Sequence, residues 1–169
     1  MFTATRLGSL MTNGEMMAKR ILVPVDRTKE MEFVLSVVRG IARESGGVVR
    51  LLAVLPIPKP LRDTRDRVIV STEQQIERLE RRTTDELRRL AVISLDGVPV
   101  ETTVIFGDRA VEVGVEAACF GADLVVLPPE RRRGPAASIA AIVRRLIAGR
   151  PAAGAGVLRL WALRAESTG

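Results

Sequence analysis

The chain has 169 residues, of which 47% are hydrophobic, and this is enough for one domain with a sizeable buried core. It contains no histidine and one cysteine, which excludes a Ser-His-Asp or Cys-His catalytic arrangement and a zinc site built on such ligands. The net charge is +6, but only 3% of the residues are aromatic, so stacking platforms for bases are scarce and we expect no nucleic-acid partner.

Residues 1–18 are interpreted as a flexible leader, in which Met1, Met11, Met16 and Met17 are alternative starts of translation. This segment lacks the continuous apolar run of a secretory signal, and no run in the chain approaches the length that spans a bilayer. A single cysteine cannot form an internal disulfide framework. These features predict a cytoplasmic protein without a membrane segment.

Residues 19–164 form the predicted domain, in which apolar runs alternate with amphipathic segments. Five short runs have the pattern of strands buried on both faces of a parallel sheet, namely residues 20–25, 48–55, 98–106, 123–127 and 157–163. Four segments between them have helical spacing, starting near Thr28, Ser71 or Thr72, Asp108 and Ser138. Residues 165–169 are expected to be a frayed tail.

Capping signals mark the boundaries of two of these helices. Ser71 and Thr72 each precede a glutamine by three residues, which is the spacing of a capping box. Asp108 is the expected N-cap of the next helix, and Gly121 is its expected end. The apolar spacing of that helix predicts an inward face of Val111, Val115 and Ala118, with Cys119 also in the core.

The alternation of strands and helices predicts an α/β fold of one domain. Right-handed crossovers between parallel strands lead to a doubly wound, Rossmann-like, five-stranded parallel sheet with strand order 3-2-1-4-5 and helices on both faces. Ligands of such sheets bind beyond the carboxyl ends of the strands, near the point where the strand order reverses. The candidate cleft is therefore lined by Val25, Asp26, Val54 and Gly107.

Three segments resemble the universal stress protein family. Ile21-Leu-Val-Pro-Val-Asp26 resembles the opening strand of that family, and Gly107-Asp108 followed by Ala110-Val-Glu112 is similar to its Gly-Asp turn. Gly121-Ala-Asp-Leu-Val-Val-Leu127 is similar to its fourth strand. Their order and spacing extend the resemblance over residues 19–163. The resemblance implies a regulatory role in stress response, a homodimer formed through the last strand, and contact of Asp26 with adenine in members that bind ATP.

The ATP-binding motif of the family is degenerate here. It is Gly-x2-Gly-x9-Gly-Ser/Thr, in which glycines let backbone N–H groups approach the phosphates and the hydroxyl completes the anion site. The corresponding positions are Pro128, Arg131, Ala141 and Ile142. Proline has no N–H to donate, and isoleucine has no polar side-chain atom. We therefore expect no cofactor, with ATP and AMP both disfavoured.

The arginine clusters and Asp26 have more than one interpretation. Arg131, Arg132 and Arg133, followed by the turn residue Gly134, stand where the family has its glycine loop. Their guanidinium groups could replace the missing amides, but a solvated charge run is the favoured interpretation. A proline-rich loop adds further guanidinium groups that could ring the same cleft, those of Arg62, Arg65 and Arg67. For Asp26, contact with a base and capping of the next helix remain equally open.

The last predicted strand is apolar on both faces. Val157, Arg159, Trp161 and Leu163 alternate with Leu158, Leu160 and Ala162. An exposed edge of this kind favours pairing with a second copy. The overall prediction is a non-enzymatic homodimer, without catalytic or metal-binding residues, that binds a protein partner of unknown identity or a small ligand. The alternatives are a nucleotide-binding protein with an arginine-based phosphate site and a weak adenine-nucleotide hydrolase.

Overall fold

The computed structural model describes residues 19–26, 31–127 and 159–162. Its elements in chain order are β1 (Arg20–Pro24), α1 (Met31–Ser45), β2 (Val48–Leu55), β3 (Leu61–Arg62), β4 (Val68–Val70), α2 (Thr72–Ser94), β5 (Val100–Phe106), α3 (Arg109–Phe120), β6 (Leu124–Leu127) and β7 (Arg159–Ala162). The predicted leader, the start of the first helix near Thr28, the helix near Ser138 and the tail lie outside the described residues.

One five-stranded sheet forms the centre of the fold, with the order β5-β2-β1-β6-β7. All of its strand pairs are parallel. The predicted doubly wound sheet and its 3-2-1-4-5 order are therefore confirmed. The third predicted strand begins at Val100, two residues later than expected, because Val98 donates its N–H to the carbonyl of Leu95 in the preceding turn.

Helices α1 and α2 cover one face of the sheet. Alternate β1 residues such as Ile21 and Val23 pack against an apolar stripe of α1 that includes Val34 and Val38. The 23-residue helix α2 buries only Thr83 and Leu87. Its remaining surface carries i,i+4 ion pairs, so α2 presents a long polar face outward.

Helix α3 covers the opposite face, where Leu22, Leu52 and Val125 pack against Val113 and Phe120. The predicted inward face of this helix is wrong, because Val111 and Val115 are exposed and Ala118 is only partly buried. The buried positions are Ala110, Val113, Gly114, Glu116, Ala117 and Phe120. Three of these buried positions hold the small residues Ala110, Gly114 and Ala117. Cys119 is also exposed, contrary to its predicted core position, because the neighbouring Phe120 ring points inward.

The helix caps follow the sequence signals. Ser71 forms a complete capping box with Gln74. The Asp108 carboxylate accepts hydrogen bonds from the backbone N–H groups of Ala110 and Val111, at 3.0 and 3.1 Å. Gly121 ends α3 in the left-handed conformation, with φ of 65°, which glycine adopts without a steric penalty.

A short antiparallel hairpin, β3–β4, was not predicted and replaces part of the proline-rich loop. Its tip is organised by Asp63, whose carboxylate accepts the N–H groups of Arg65 and Arg67 at 2.8 and 2.9 Å. Asp66 adopts φ of 61°, which aspartate tolerates better than most residues. The hairpin and its tip therefore have a defined conformation, and they lie between β2 and α2 in the chain.

Candidate functional site

The candidate cleft lies where β1, β2 and β5 end side by side. Val25 donates its N–H to the carbonyl of Leu52 at 2.8 Å, and Val54 lies in register with Ile105. Gly107 donates its N–H to the carbonyl of Leu55 at 2.9 Å. The structure therefore brings four predicted site residues to the same edge of the sheet, namely Val25, Asp26, Val54 and Gly107. Since parallel strands direct their carboxyl ends to one edge, this is the position predicted from topology.

Arg109, the first residue of α3, reaches the end of β1. Its Nη1 lies 3.7 Å from Oδ2 of Asp26, which is an ion pair but longer than a good hydrogen bond. The Arg109 side chain is 28% exposed. Its Nε is buried, and no described residue accepts a hydrogen bond from it. The cleft thus contains a guanidinium group that is close to a carboxylate yet incompletely satisfied.

Glu112 fills the space next to Gly107. A Cβ atom placed on Gly107 would lie 2.6 Å from Oε1 and 2.9 Å from Cγ of Glu112. The absence of a side chain at Gly107 is therefore what admits this carboxylate. An acidic group one turn inside a helix is also favoured by the positive end of the helix dipole.

The amino terminus of α3 is occupied by the protein's own carboxylates. Asp108 accepts two backbone N–H groups that a phosphate could otherwise use, and Glu112 lies in the same first turn. Among the described residues, Glu112 lies beside Gly107, Asp108 caps α3, and Asp26 pairs with the guanidinium of Arg109, so this edge of the sheet holds three acidic side chains and one cation. This arrangement repels a polyphosphate more than it attracts one.

Two of the three loop arginines are paired inside the hairpin. Nη1 of Arg62 lies 3.3 Å from Oδ2 of Asp66, and Nε of Arg67 donates to Oδ2 of Asp63 at 2.8 Å. Their charges are therefore partly compensated locally. Arg131, Arg132, Arg133 and Gly134 lie outside the described residues, so neither the favoured solvated charge run nor the alternative ring of arginines around the cleft is tested.

Within residues 19–26, 31–127 and 159–162, no group of three or more His, Cys, Asp or Glu side chains is placed to hold a metal ion. In the same part of the chain, no helix combines the length and the apolar character that crossing a membrane requires.

The sequence model of the universal stress protein family matches residues 17–147. This match spans most of the chain and includes all three segments on which the resemblance depended. The chain belongs to the universal stress protein family. No curated protein matches the chain.

Solved universal stress proteins share the fold of this member. One from Archaeoglobus fulgidus is 19% identical, with a TM-score of 0.51, and the alignment covers 88% of this chain and 95% of the other. UspA from Lactobacillus plantarum is 15% identical, with a TM-score of 0.57 and coverage of 86% and 97%. A universal stress protein in complex with cAMP is 13% identical, with a TM-score of 0.52 and coverage of 87% and 97%. At these identities the similarity establishes the fold.

Sequence reasoning missed two residues of the site in this universal stress protein. Arg109 had a usable signal, because a basic residue in the first turn of a helix opposes the helix dipole and calls for a local partner. Glu112 was noticed only as part of the Gly-Asp segment. Its position over Gly107 follows from side-chain packing, for which the sequence contains no pattern.

Proposed function

We propose that this universal stress protein is a cytoplasmic, non-catalytic regulatory module that acts as a homodimer through a protein partner or a small ligand. We also propose that it does not hold ATP in the usual manner. The observation that carries the proposal is the loss of the motif residues whose backbone N–H groups and hydroxyl would bind phosphate. Three glycines and a hydroxyl residue are replaced by Pro128, Arg131, Ala141 and Ile142.

The described part of the cleft supports this view. A triphosphate needs several N–H or cationic donors, since it carries a high negative charge. Two N–H groups at the start of α3 are already used by Asp108, and Glu112 adds a second carboxylate beside Gly107. The cation Arg109 is itself engaged with Asp26. Electrostatic repulsion and the shortage of donors therefore act in the same direction.

The described residues of the cleft give little support to a catalytic role. Hydrolysis of a nucleotide requires a base that activates water and groups that stabilise the developing charge. Asp26 is the candidate base at the cleft, and the guanidinium of Arg109 lies against its carboxylate. We therefore place the hydrolase alternative behind a binding role.

A second candidate function is the binding of an adenine nucleotide with a short phosphate chain. Asp26, Val54 and Gly107 meet at one edge, which keeps the part of the cleft that would receive a base. A structural neighbour with the same fold is described as a complex with cAMP. In this alternative the phosphate is held by arginine side chains and not by backbone amides.

Thermal shifts with adenosine, AMP, cAMP and ATP separate the two candidates. We expect ATP at millimolar concentration to shift the melting temperature no more than adenosine does. A larger shift with ATP, or ATP released from the purified protein on denaturation, would refute the proposal. If AMP or cAMP alone raises the melting temperature, the second candidate is favoured.

An arginine variant tests how any bound phosphate is held. Replacing Arg131, Arg132 and Arg133 by serine should abolish a phosphate-dependent shift if these side chains bind it. The matched control replaces three exposed arginines of α2 by serine, namely Arg78, Arg88 and Arg89. Equal loss of the shift in both variants would indicate a general charge effect and would exclude the arginine-based site.

The dimer is proposed to form along the last strand. Strand β7 lies at one end of the sheet order and pairs with β6 on one side. No other described strand pairs with the opposite side of β7, and an edge of this kind offers N–H and C=O groups to a second copy. Light scattering over a range of concentrations should show a dimer. Trp161 is the single tryptophan, so its emission should change on dilution as this strand is exposed. A monomer at every concentration would refute the dimer.

A further inference from the structure

The hairpin β3–β4 and the residues before it expose an unusual amount of apolar surface. Ile57, Leu61, Val68 and Ile69 are between 52% and 64% exposed. Elsewhere among the described residues, exposed large apolar side chains occur only in pairs, at the end of α2 and on the outer side of α3. A cluster of exposed apolar residues is typical of a surface that contacts another molecule.

The backbone of the hairpin is also available for pairing. Within the described residues, β3 and β4 pair with each other and form a sheet of two strands. Each strand therefore has an outer edge with backbone donors and acceptors that no third strand uses. Extended peptides bind such edges by adding a strand, with backbone hydrogen bonds for affinity and side-chain contacts for specificity.

The tip of the hairpin is polar and preorganised. The Asp63 carboxylate holds the N–H groups of Arg65 and Arg67, and Asp66 takes a left-handed conformation. A partner therefore meets an ordered surface and does not have to order a loop, which lowers the entropic cost of binding. The exposed apolar residues lie at the base of the hairpin and not at its tip.

The net charge of this surface indicates the sign of the charge on its partner. Residues 57–70 contain four basic and two acidic side chains, so their net charge is positive. Both acidic residues are paired with arginines inside the hairpin. The remaining cations are Lys59 and Arg65, for which the described part of the chain shows no ion pair. An acidic partner would complement them.

We propose that β3–β4 binds an extended segment of a partner protein in which acidic and apolar residues alternate, added as a third strand. This inference names the partner surface of the proposed function and rests on its partner-binding role. A membrane fits less well, because the polar tip from Asp63 to Asp66 would enter the lipid before the apolar residues. A second copy fits less well, because two hairpins of equal positive charge would meet.

The test uses labelled synthetic peptides with the full-length protein and fluorescence anisotropy. One peptide alternates glutamate with isoleucine, and its matched control alternates lysine with isoleucine. We expect the acidic peptide to bind and the basic peptide not to bind. Ile69→Lys, at the apolar base of the hairpin, should weaken binding by about tenfold or more. Arg65→Glu should also weaken binding, because the variant replaces an attractive charge with one that repels the acidic peptide. Ile93→Lys, at a site on α2 that is 78% exposed, should leave binding unchanged.

Any one of four outcomes would overturn the inference. These are equal binding of both peptides, undiminished binding by the Ile69→Lys variant, binding to phosphatidylserine vesicles without peptide binding, and self-association abolished by Ile69→Lys. Circular dichroism melts of each variant show that it is folded. The shifts of the melting temperature with nucleotides are measured in a separate experiment. If neither peptide binds, this inference is refuted and the proposed function is not. If ATP alone shifts the melting temperature, the proposal that the protein does not hold ATP is refuted and this inference is not.

Discussion

The guanidinium of Arg109 lies 3.7 Å from the carboxylate of Asp26, where the first turn of α3 meets the end of β1. The two residues are 83 positions apart in the chain and are brought together because α3 packs across β1 and β2. Nε of Arg109 is buried, and no acceptor for its N–H lies within the part of the chain that the structure describes. Buried polar groups are nearly always satisfied, so this arginine is incompletely satisfied by the described residues.

Replacing Arg109 by methionine should not destabilise the protein. The change removes a buried N–H for which the described residues offer no acceptor, and such a group costs about 1–3 kcal/mol. It also removes a partly exposed ion pair that contributes about 0–1 kcal/mol. We expect the free energy of unfolding, measured by urea denaturation, to remain equal or to rise by about 1 kcal/mol. Arg89→Met, on the exposed face of α2, is the control and should have little effect. A loss greater than about 1 kcal/mol for Arg109→Met would show that the guanidinium is well satisfied.

Gly107→Ala should destabilise the protein through Glu112. The new Cβ would lie 2.6 Å from Oε1 and 2.9 Å from Cγ of Glu112, so that side chain must rotate. A displaced rotamer costs about 0.5–1.5 kcal/mol, and we expect a loss of this size in urea denaturation. The loss should disappear when Glu112 is also alanine, because the clash is then removed. If it persists in the double variant, the backbone at Gly107 and not the carboxylate is responsible.

Gly40→Ala provides the opposite case within α1. Nothing lies within 4 Å of a Cβ placed at Gly40, which is exposed in the interior of the helix. Alanine in a helix is more stable than glycine by about 0.5–1 kcal/mol, and the free energy of unfolding should rise by this amount. Chemical denaturation measures it, and a decrease would mean that the flank of α1 is covered.

Local rules account for the parts of the fold that were predicted correctly. Ser71, Asp108 and Gly121 act through their own backbone neighbours, and the sheet order follows from alternating strands and helices. The inward face of α3 was wrong because its apolar residues surround much of the helix, so Val111 and Val113 begin two competing stripes. Tertiary packing buries the stripe that contains Val113, Ala117 and Phe120.

The cleft was predicted in position but not in chemistry. Topology alone placed Asp26 and Gly107 at one edge, since parallel strands end together. The contact between Asp26 and Arg109, and the fit of Glu112 over Gly107, depend on how α3 is rotated against the sheet. Because the buried face of α3 was predicted incorrectly, these contacts could not be predicted from the sequence. The hairpin β3–β4 was missed for a different reason, since the prolines that precede it indicated an extended loop.

Arg50 holds two glutamates whose replacement should have unequal effects. Burial of Arg50 opposes its charge, but hydrogen bonds from its guanidinium to Glu101 and Glu116 outweigh this and raise its pKa. Nη1 donates to Glu116 at 2.6 Å, and the guanidinium lies 4.0 Å from the Phe120 ring centre. The Glu116 side chain is 11% exposed and that of Glu101 is 50% exposed.

We expect Glu116→Gln to lower the free energy of unfolding by about 1–3 kcal/mol, because the buried hydrogen bond from Arg50 loses its charge assistance. The matched variant Glu101→Gln should cost no more than about 1 kcal/mol, since water already screens that pair. Urea denaturation of both variants measures the difference. Equal losses would contradict the role of burial in this cluster.

The tip of the β3–β4 hairpin should loosen in acid. The backbone N–H of Arg67, together with its guanidinium and the N–H of Arg65, lowers the pKa of Asp63 below its ordinary value of 3.8. A carboxylate whose pKa is lower in the folded state stabilises that state above the unfolded pKa, and this contribution is lost as the pH falls through the lowered value. The amide chemical shifts of Arg65 and Arg67 should therefore change with a midpoint below pH 3.8. Asp63→Asn keeps a hydrogen-bond acceptor but cannot titrate, so its shifts should stay flat over the same window. A midpoint at or above 3.8 would mean that Asp63 does not hold the hairpin tip in solution.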